Sequence, residues 1–297
     1  PMPALSSSPS KASFYGPVDD LHRKPLLEAY LDHLREKNGE LDPQTGALSY
    51  REDRLAHMDA SPLRYAARLS QDDFDRLYER FDPRARELTP DLLLLLTFCK
   101  MNGGEAYGVR VVKAVYSRHD KYGSDLRGKV MQVAQQEEEY HTRILVGAAR
   151  QFDLQVVDRY HPKLALRVLI HAIAYSPRTL MHPILYSSEV SGIYLFNWTL
   201  NRIRDFLQGQ TELQELLEQR LTDILVDEVG HVAFNRLVMS PGELALGTRL
   251  AGLTVRGLPQ MTPETGALGF HGQALRDFDS FDYLSLPEEV RRRGFFA

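Results

Sequence analysis

The chain has 297 residues, 43% of them hydrophobic, with a net charge of −4 at pH 7, enough apolar content for one structural domain with a sizeable core. Acidic and basic residues are interspersed without the basic stripe that grips a phosphate backbone, so nucleic acid is not an expected partner. Cys99 is the only cysteine, which excludes an internal disulfide and fits a cytoplasmic location.

Residues 1–18, beginning PMPALSSSPSKASFYGP, lack the basic-then-apolar order of a signal peptide and read as a flexible tail. Residues 19–88 read as a helical extension packed on the main body. Its short amphipathic helices lie near 20–35 and 70–81, separated by polar, proline-bearing turns. The apolar run Leu92–Leu96 is too short to cross a membrane and is expected in the core.

Residues 89–258 carry four long helix candidates. The first starts after Thr89, a candidate N-cap with Pro90 at the first helical position, and ends near Arg118. The others cover about 124–152, 177–207 and 212–239. Short turns at HDKYG and QGQT make two antiparallel hairpins. Between them, residues 153–176, with a helix through LALRVLIHAIAY, are long enough to return along the bundle. Residues 242–257 are a further helix candidate, and 259–297, rich in Gly, Pro and Asp, read as an irregular extension with a helical turn or two at 287–293. No sustained apolar/polar alternation predicts strands, so the expected fold class is all-α.

Glu138-Glu-Tyr-His141 in the second helix recurs in form as Glu228-Val-Gly-His231 in the fourth. A Glu and a His three apart share a helix face, so both can reach one metal ion. With 19 Glu and 10 His in the chain, one such pair arises readily by chance, and the spacing of partners carries more weight. Glu105 lies 14 residues before His119, and Glu138 lies 15 after Gly123, which puts both roughly 21–23 Å from their turn. Glu189 and Glu228 stand at matched heights of roughly 25–29 Å on the other hairpin. Four helices thus offer four Glu and two His to one layer.

Met101, Val109 and Val112 flank Glu105, Ile193 and Phe196 follow Glu189, and Ile224, Leu225, Val229 and Val232 surround the last motif. Any one of these Glu residues alone reads best as part of a solvated face. Four carboxylates gathered among apolar neighbours require compensating cations. Carboxylate and imidazole donors suit iron or manganese, whereas structural zinc favours a closed tetrahedral set with thiolates. Two iron ions are the expected occupants.

The order Glu, Glu-x-x-His, Glu, Glu-x-x-His over residues 90–240 resembles the ferritin-like diiron-carboxylate proteins. The resemblance implies a ferritin-like four-helix bundle and a diiron centre, formed by Glu105, Glu138, His141, Glu189, Glu228 and His231, that activates dioxygen. It also implies that Asp227 orients His141 and that Glu137, its counterpart, orients His231. Such partners fix an imidazole's tautomer and raise its basicity.

Leu145 and Ile193 stand where the ribonucleotide reductase small subunit has a tyrosine and the multicomponent hydroxylases a threonine. Length, terminal extensions and the EEEYHT stretch are similar to the p-aminobenzoate N-oxygenase group, although Ile224 replaces that group's additional ligand histidine.

Gly108 and Gly192 each follow a ligand Glu by three residues, on the expected metal-facing side. A helical glycine costs about 1 kcal/mol relative to alanine, so these two suggest either a pocket or close helix packing. Tyr107, Tyr140, Tyr186 and Tyr194 are candidate neighbours of the metals, and His182 a candidate extra ligand or proton shuttle, though core roles are commoner for both types. The leading reading is a monomeric or homodimeric oxygenase of a small-molecule substrate, by amine N-oxygenation or C–H hydroxylation. No flavin or nucleotide fingerprint is present, so an external electron donor, a ferredoxin or a reductase, is implied. The alternatives are a ferroxidase or iron store and a metal-free helical interaction protein.

Overall fold

The computed structural model describes residues 13–42, 44–59, 70–86, 88–152, 154, 162 and 164–297. The first twelve residues of the expected tail, and most of the connection 153–163, lie outside them. Among the described residues the chain is helical, with no strand; an isolated bridge joins Leu41 and Leu48.

Three helices precede the expected bundle: α1 (Asp20–Asn38), α2 (Ser49–Asp59) and α3 (Gln71–Glu79). Asp19 caps α1 through the Leu21 amide, and Ser70 caps α3 through the Asp73 amide, each filling one of the orphan donors of a first turn. Sequence periodicity finds α1 and α3 but misses α2, whose buried face is only Arg51, Leu55 and Met58.

The long helices are α4 (Pro90–Arg118), α5 (Leu126–Ala149), α7 (Arg178–Leu200) and α9 (Thr211–Val238), with α6 (Leu164–Tyr175) between the hairpins. Thr89 takes the N-cap position of α4 without a side-chain hydrogen bond, so Pro90, which has no N–H to satisfy, supplies the start. The turn between α4 and α5 uses left-handed backbone at Asp120 (φ 47°) and Gly123 (φ 67°). The third long helix ends earlier than expected. The Arg202 amide bonds to Thr199 O at 3.0 Å, a tightened last turn, and the short α8 (Ile203–Phe206) follows.

α4 packs on α5, α7 on α9, and α5 on α9, while α1 lies across both α5 and α9. α10 (Pro241–Met261) starts at a capping box between Ser240 and Glu243 and lies along α7. Gly247 allows this approach, because a Cβ there would sit 2.7 Å from the Tyr186 ring.

Two expectations about the ends are corrected. Residues 259–297 are not irregular: α11 (Pro263–Ala267), α12 (Phe270–Asp277), two 3-10 turns and α13 (Glu288–Arg293) fold back over the core. The tail is not loose up to residue 18 either. Phe14 is fully buried against Phe281, Tyr283 and Phe296, and its carbonyl accepts from the Tyr186 hydroxyl at 3.1 Å. Burying one such ring contributes about 1.5–3 kcal/mol, which is why Phe14 and the C-terminal aromatics meet here. No described helix is long and apolar enough to cross a membrane.

Candidate metal centre

The two hairpins bring the six predicted ligands together. Glu138, Glu189, Glu228 and His231 form one group whose ligand atoms all lie within 4.8 Å of one another, and Glu105, Glu138 and His141 form a second. Glu138 belongs to both. His141 Nδ1 lies 3.3 Å from Glu138 and 3.2 Å from Glu228, and His231 Nδ1 lies 2.9 Å from Glu138 and 3.8 Å from both Glu189 and Glu228.

The outward nitrogens are held from behind. His141 Nε2 is 3.1 Å from Asp227, and His231 Nε2 is 3.0 Å from Glu137. A carboxylate accepts, so each Nε2 carries hydrogen and each Nδ1 faces the centre, as the sequence led us to expect of Asp227 and Glu137. Four buried atoms in the centre have no hydrogen bond: Nδ1 of both histidines, one Glu105 oxygen and one Glu228 oxygen. Buried polar atoms are ordinarily satisfied, and these four are the metal-ligating kind. The donor set fits a pair of hard-to-intermediate cations.

The outer carboxylates have cations of their own. Lys37 Nζ is 2.7 Å from both Glu137 and Asp227, Arg51 pairs closely with Asp227, Asn38 donates to Glu137 at 2.7 Å, and Arg51 Nε donates to Asn38 at 2.6 Å. Six carboxylates against Lys37 and Arg51 leave four negative charges, the amount that two divalent ions neutralise. None of these three partners was found from the sequence, because each sits on α1 or α2, far from any motif.

Burial pushes the Glu105 carboxyl up to about 8, with Glu138 adding to the effect, and burial followed by Glu189 and Glu138 pushes Glu228 well above the carboxylate range. Burial would raise Glu138 too, but His141 and His231 outweigh it and hold that carboxyl below its ordinary range. Both imidazoles are held well above their usual value, against burial, chiefly by Glu138. Lys37 keeps Glu137 down at about 2 in spite of its burial. Without metal, protons on Glu105, Glu228 and the imidazoles therefore balance the centre.

Glu138 and Glu189 keep 23% and 18% of their side-chain surface exposed, whereas Glu228 keeps 4% and His141 none. Glu105 is also half-buried. The centre therefore opens on the Glu105, Glu138 and Glu189 side and is sealed on the α9 side. At Gly108 a Cβ would meet nothing within 4 Å, while at Gly192 it would make ordinary contact with Phe196 at 3.8 Å. Space thus lies beside Gly108, and the reason for a glycine at 192 is not steric.

The four candidate tyrosines are engaged elsewhere. The Tyr107 hydroxyl meets His171, that of Tyr140 donates to Glu52, that of Tyr186 donates to Phe14, and the Tyr194 ring packs on Phe270, Phe278 and Phe281. His182 is not among the ligands; its Nδ1 lies 3.2 Å from Asn235 Oδ1. The tyrosine that does reach the centre's wall is Tyr30 of α1, fully buried and with an unpartnered hydroxyl. A Cβ on Gly230, the residue before His231, would stand 2.7 Å from that hydroxyl oxygen and 2.9 Å from the ring. Gly230→Ala is expected to force Tyr30 and α1 outward, at a cost of about 1–3 kcal/mol by overpacking. Urea unfolding of the variant measures this, and an unchanged midpoint would contradict the close approach.

No family model, curated protein or solved structure matches this chain.

Proposed function

We propose that this protein is a non-haem diiron oxygenase built on a ferritin-like four-helix bundle of α4, α5, α7 and α9. The observation carrying the reading is the four unsatisfied ligand atoms within a layer whose net charge two divalent ions would cancel. A metal-free interaction protein offers no reason to bury such a layer. The resemblance of the ligand order to diiron-carboxylate proteins supports iron, with manganese as the other fitting metal.

Glu105 and His141 would hold one ion, Glu189, Glu228 and His231 the other, with Glu138 shared. Bound iron would supply dioxygen activation, and with it oxygen insertion into an amine or C–H bond of a small molecule. Asp227 and Glu137 keep both imidazoles aimed inward. The sealed α9 side excludes water from behind, and the open side beside Gly108 admits the substrate. Glu105, whose carboxyl holds its proton up to about 8, is the group best placed to give up a proton as the centre fills.

The test is anaerobic loading with ferrous iron, followed by elemental analysis, gel filtration and exposure to oxygen. About two irons per chain in a monomer or dimer, with oxygen uptake coupled to oxidation of a screened amine or aromatic, support the proposal. A large cage holding many irons per chain points to storage, and no stoichiometric metal overturns both.

Loading should also release protons. Glu105, Glu228, His141 and His231 all have raised proton affinity in the metal-free protein, and the protons they hold must leave for metal to bind. For Glu105 the sign is clear: an ordinary value of 4.5 raised to about 8 means that folding stability present below 4.5 is lost as pH rises through 8. The metal-free protein should therefore weaken from pH 5 to 8 while metal affinity grows. Calorimetry in buffers of different ionisation enthalpy detects the released protons, and metal affinity independent of pH across this range would contradict the assignment.

A further inference from the structure

A cavity of about 230 Å³, lined by both charged and apolar side chains, lies at the α4–α5 turn, two helical turns along α7 from Glu189. Its wall includes Lys121 from the α4–α5 turn, Arg127 of α5, Arg178 and His182 of α7, Phe234 of α9 and Glu243 of α10. Three permanent cations face one carboxylate, and that carboxylate is engaged in capping α10, accepting from the Ser240 amide at 2.7 Å. α7 has Pro177 at its N-cap and no side-chain cap, so the N–H groups of Arg178 and Thr179 at its start add positive potential at the same wall.

His182 gives the cavity a more specific chemistry. It is only 9% exposed, and its single hydrogen-bond partner is Asn235 Oδ1, through Nδ1. The Asn235 amide nitrogen donates to His231 O at 3.0 Å, which fixes its oxygen towards His182. His182 Nδ1 must then be the donor, leaving Nε2 as a bare acceptor in a wall that also carries the cationic donors Lys121, Arg127 and Arg178 and the apolar Met131, Phe234 and Val238. Cationic donors beside a neutral imidazole acceptor, with the one carboxylate of the wall tied to the Ser240 amide, suit an anion that still carries an O–H. A hydrogen-phosphate group has one; sulfate and a carboxylate do not.

We propose that this cavity binds a phosphate group, with Arg127, Arg178 and the α7 N-terminus holding its charge and His182 Nε2 accepting its O–H. The volume is room for about seven waters at ~30 Å³ each, enough for a phosphate group together with several waters or a small organic substituent. The site stands apart from the metal reading and does not require it. Arg127 is exposed and makes no ion pair among the described residues, so its guanidinium is available. Arg178 also donates to the Lys121 carbonyl, and Lys121 Nζ to Ser176 O, so both are anchored in place beside the cavity.

Titration of the full-length protein with inorganic phosphate, followed by calorimetry and phosphorus NMR, tests this at constant ionic strength in chloride. Saturable binding is expected, with sulfate at least about tenfold weaker. Arg127→Ala should weaken phosphate about fivefold or more while leaving thermal stability in chloride unchanged. His182→Phe should abolish the preference for phosphate over sulfate. Tighter binding of methyl phosphate than of inorganic phosphate identifies an organic phosphoester as the ligand, and equal or weaker binding identifies the free ion. Phosphate behaving like chloride, or binding unaltered by Arg127→Ala, overturns the proposal; should His182→Phe fail to fold, Arg127→Ala still decides it.

Discussion

Glu138→Ala is expected to remove both metal ions together, lowering affinity for each by more than about 100-fold. Loss of an outer partner of a ligand typically costs 10–100-fold, and Glu138 is the carboxylate common to both candidate groups, within 3.3 Å of one imidazole and 2.9 Å of the other. Glu105→Ala, by contrast, strips a carboxylate from the His141 group alone, and one ion should remain. Metal content after desalting, measured on iron-loaded protein, separates the two variants. Two ions retained by Glu138→Ala would remove the shared-ligand geometry from consideration.

Arg51→Met is expected to destabilise the metal-free protein by about 3–5 kcal/mol, the usual penalty for leaving one partner of a buried ion pair unpaired. Arg51 is 6% exposed, pairs with Asp227 and holds Asn38, which in turn holds Glu137. Without it, Lys37 is the one Lys or Arg left against two fully buried carboxylates, beside the two imidazoles that contact them. Adding Asp227→Asn should recover part of the loss by removing the stranded charge, although His141 then loses its fixed tautomer and metal affinity stays low. Urea midpoints for the single and double variants measure the coupling; a single-variant cost below about 0.5 kcal/mol, the range of ordinary surface substitutions, would show that the network is not under load.

These variants probe different layers of one site, and the layers differ in how they are encoded. The inner layer rests on two i,i+3 pairs and two carboxylates at matched heights on their hairpins. That information is local to each helix and its turn, so residue spacing at 1.5 Å per residue suffices to bring the six together. The outer layer depends on chain crossings. Asn38 meets Glu137 across 99 residues, Arg51 meets Asp227 across 176 and Lys37 meets Asp227 across 190. No periodicity in α1 or α2 signals these meetings. Arg51 gave no signal either, because α2 itself escapes the periodicity and its buried face shows only in the structure.

The same distinction holds for the ends and the tyrosines. Gly, Pro and Asp content made 259–297 look irregular, yet short helices form there because Phe270, Phe278, Phe281 and Val290 find the core to bury against; tertiary burial overrides weak local propensity. Tyr107 and Tyr140 sit near the ligands in sequence but their hydroxyls are drawn to His171 and Glu52, while Tyr30, far away in sequence, lies against Gly230.

The sequence by itself determined that the chain is helical, where its long helices run, and which six side chains share a level, since those follow from short-range spacing and turn chemistry. Tertiary structure alone decided which cations balance the buried carboxylates, which side of the centre is open, and that His182 lines a separate basic cavity. Those outcomes depend on contacts between residues remote along the chain, and such contacts exist only once the helices have packed.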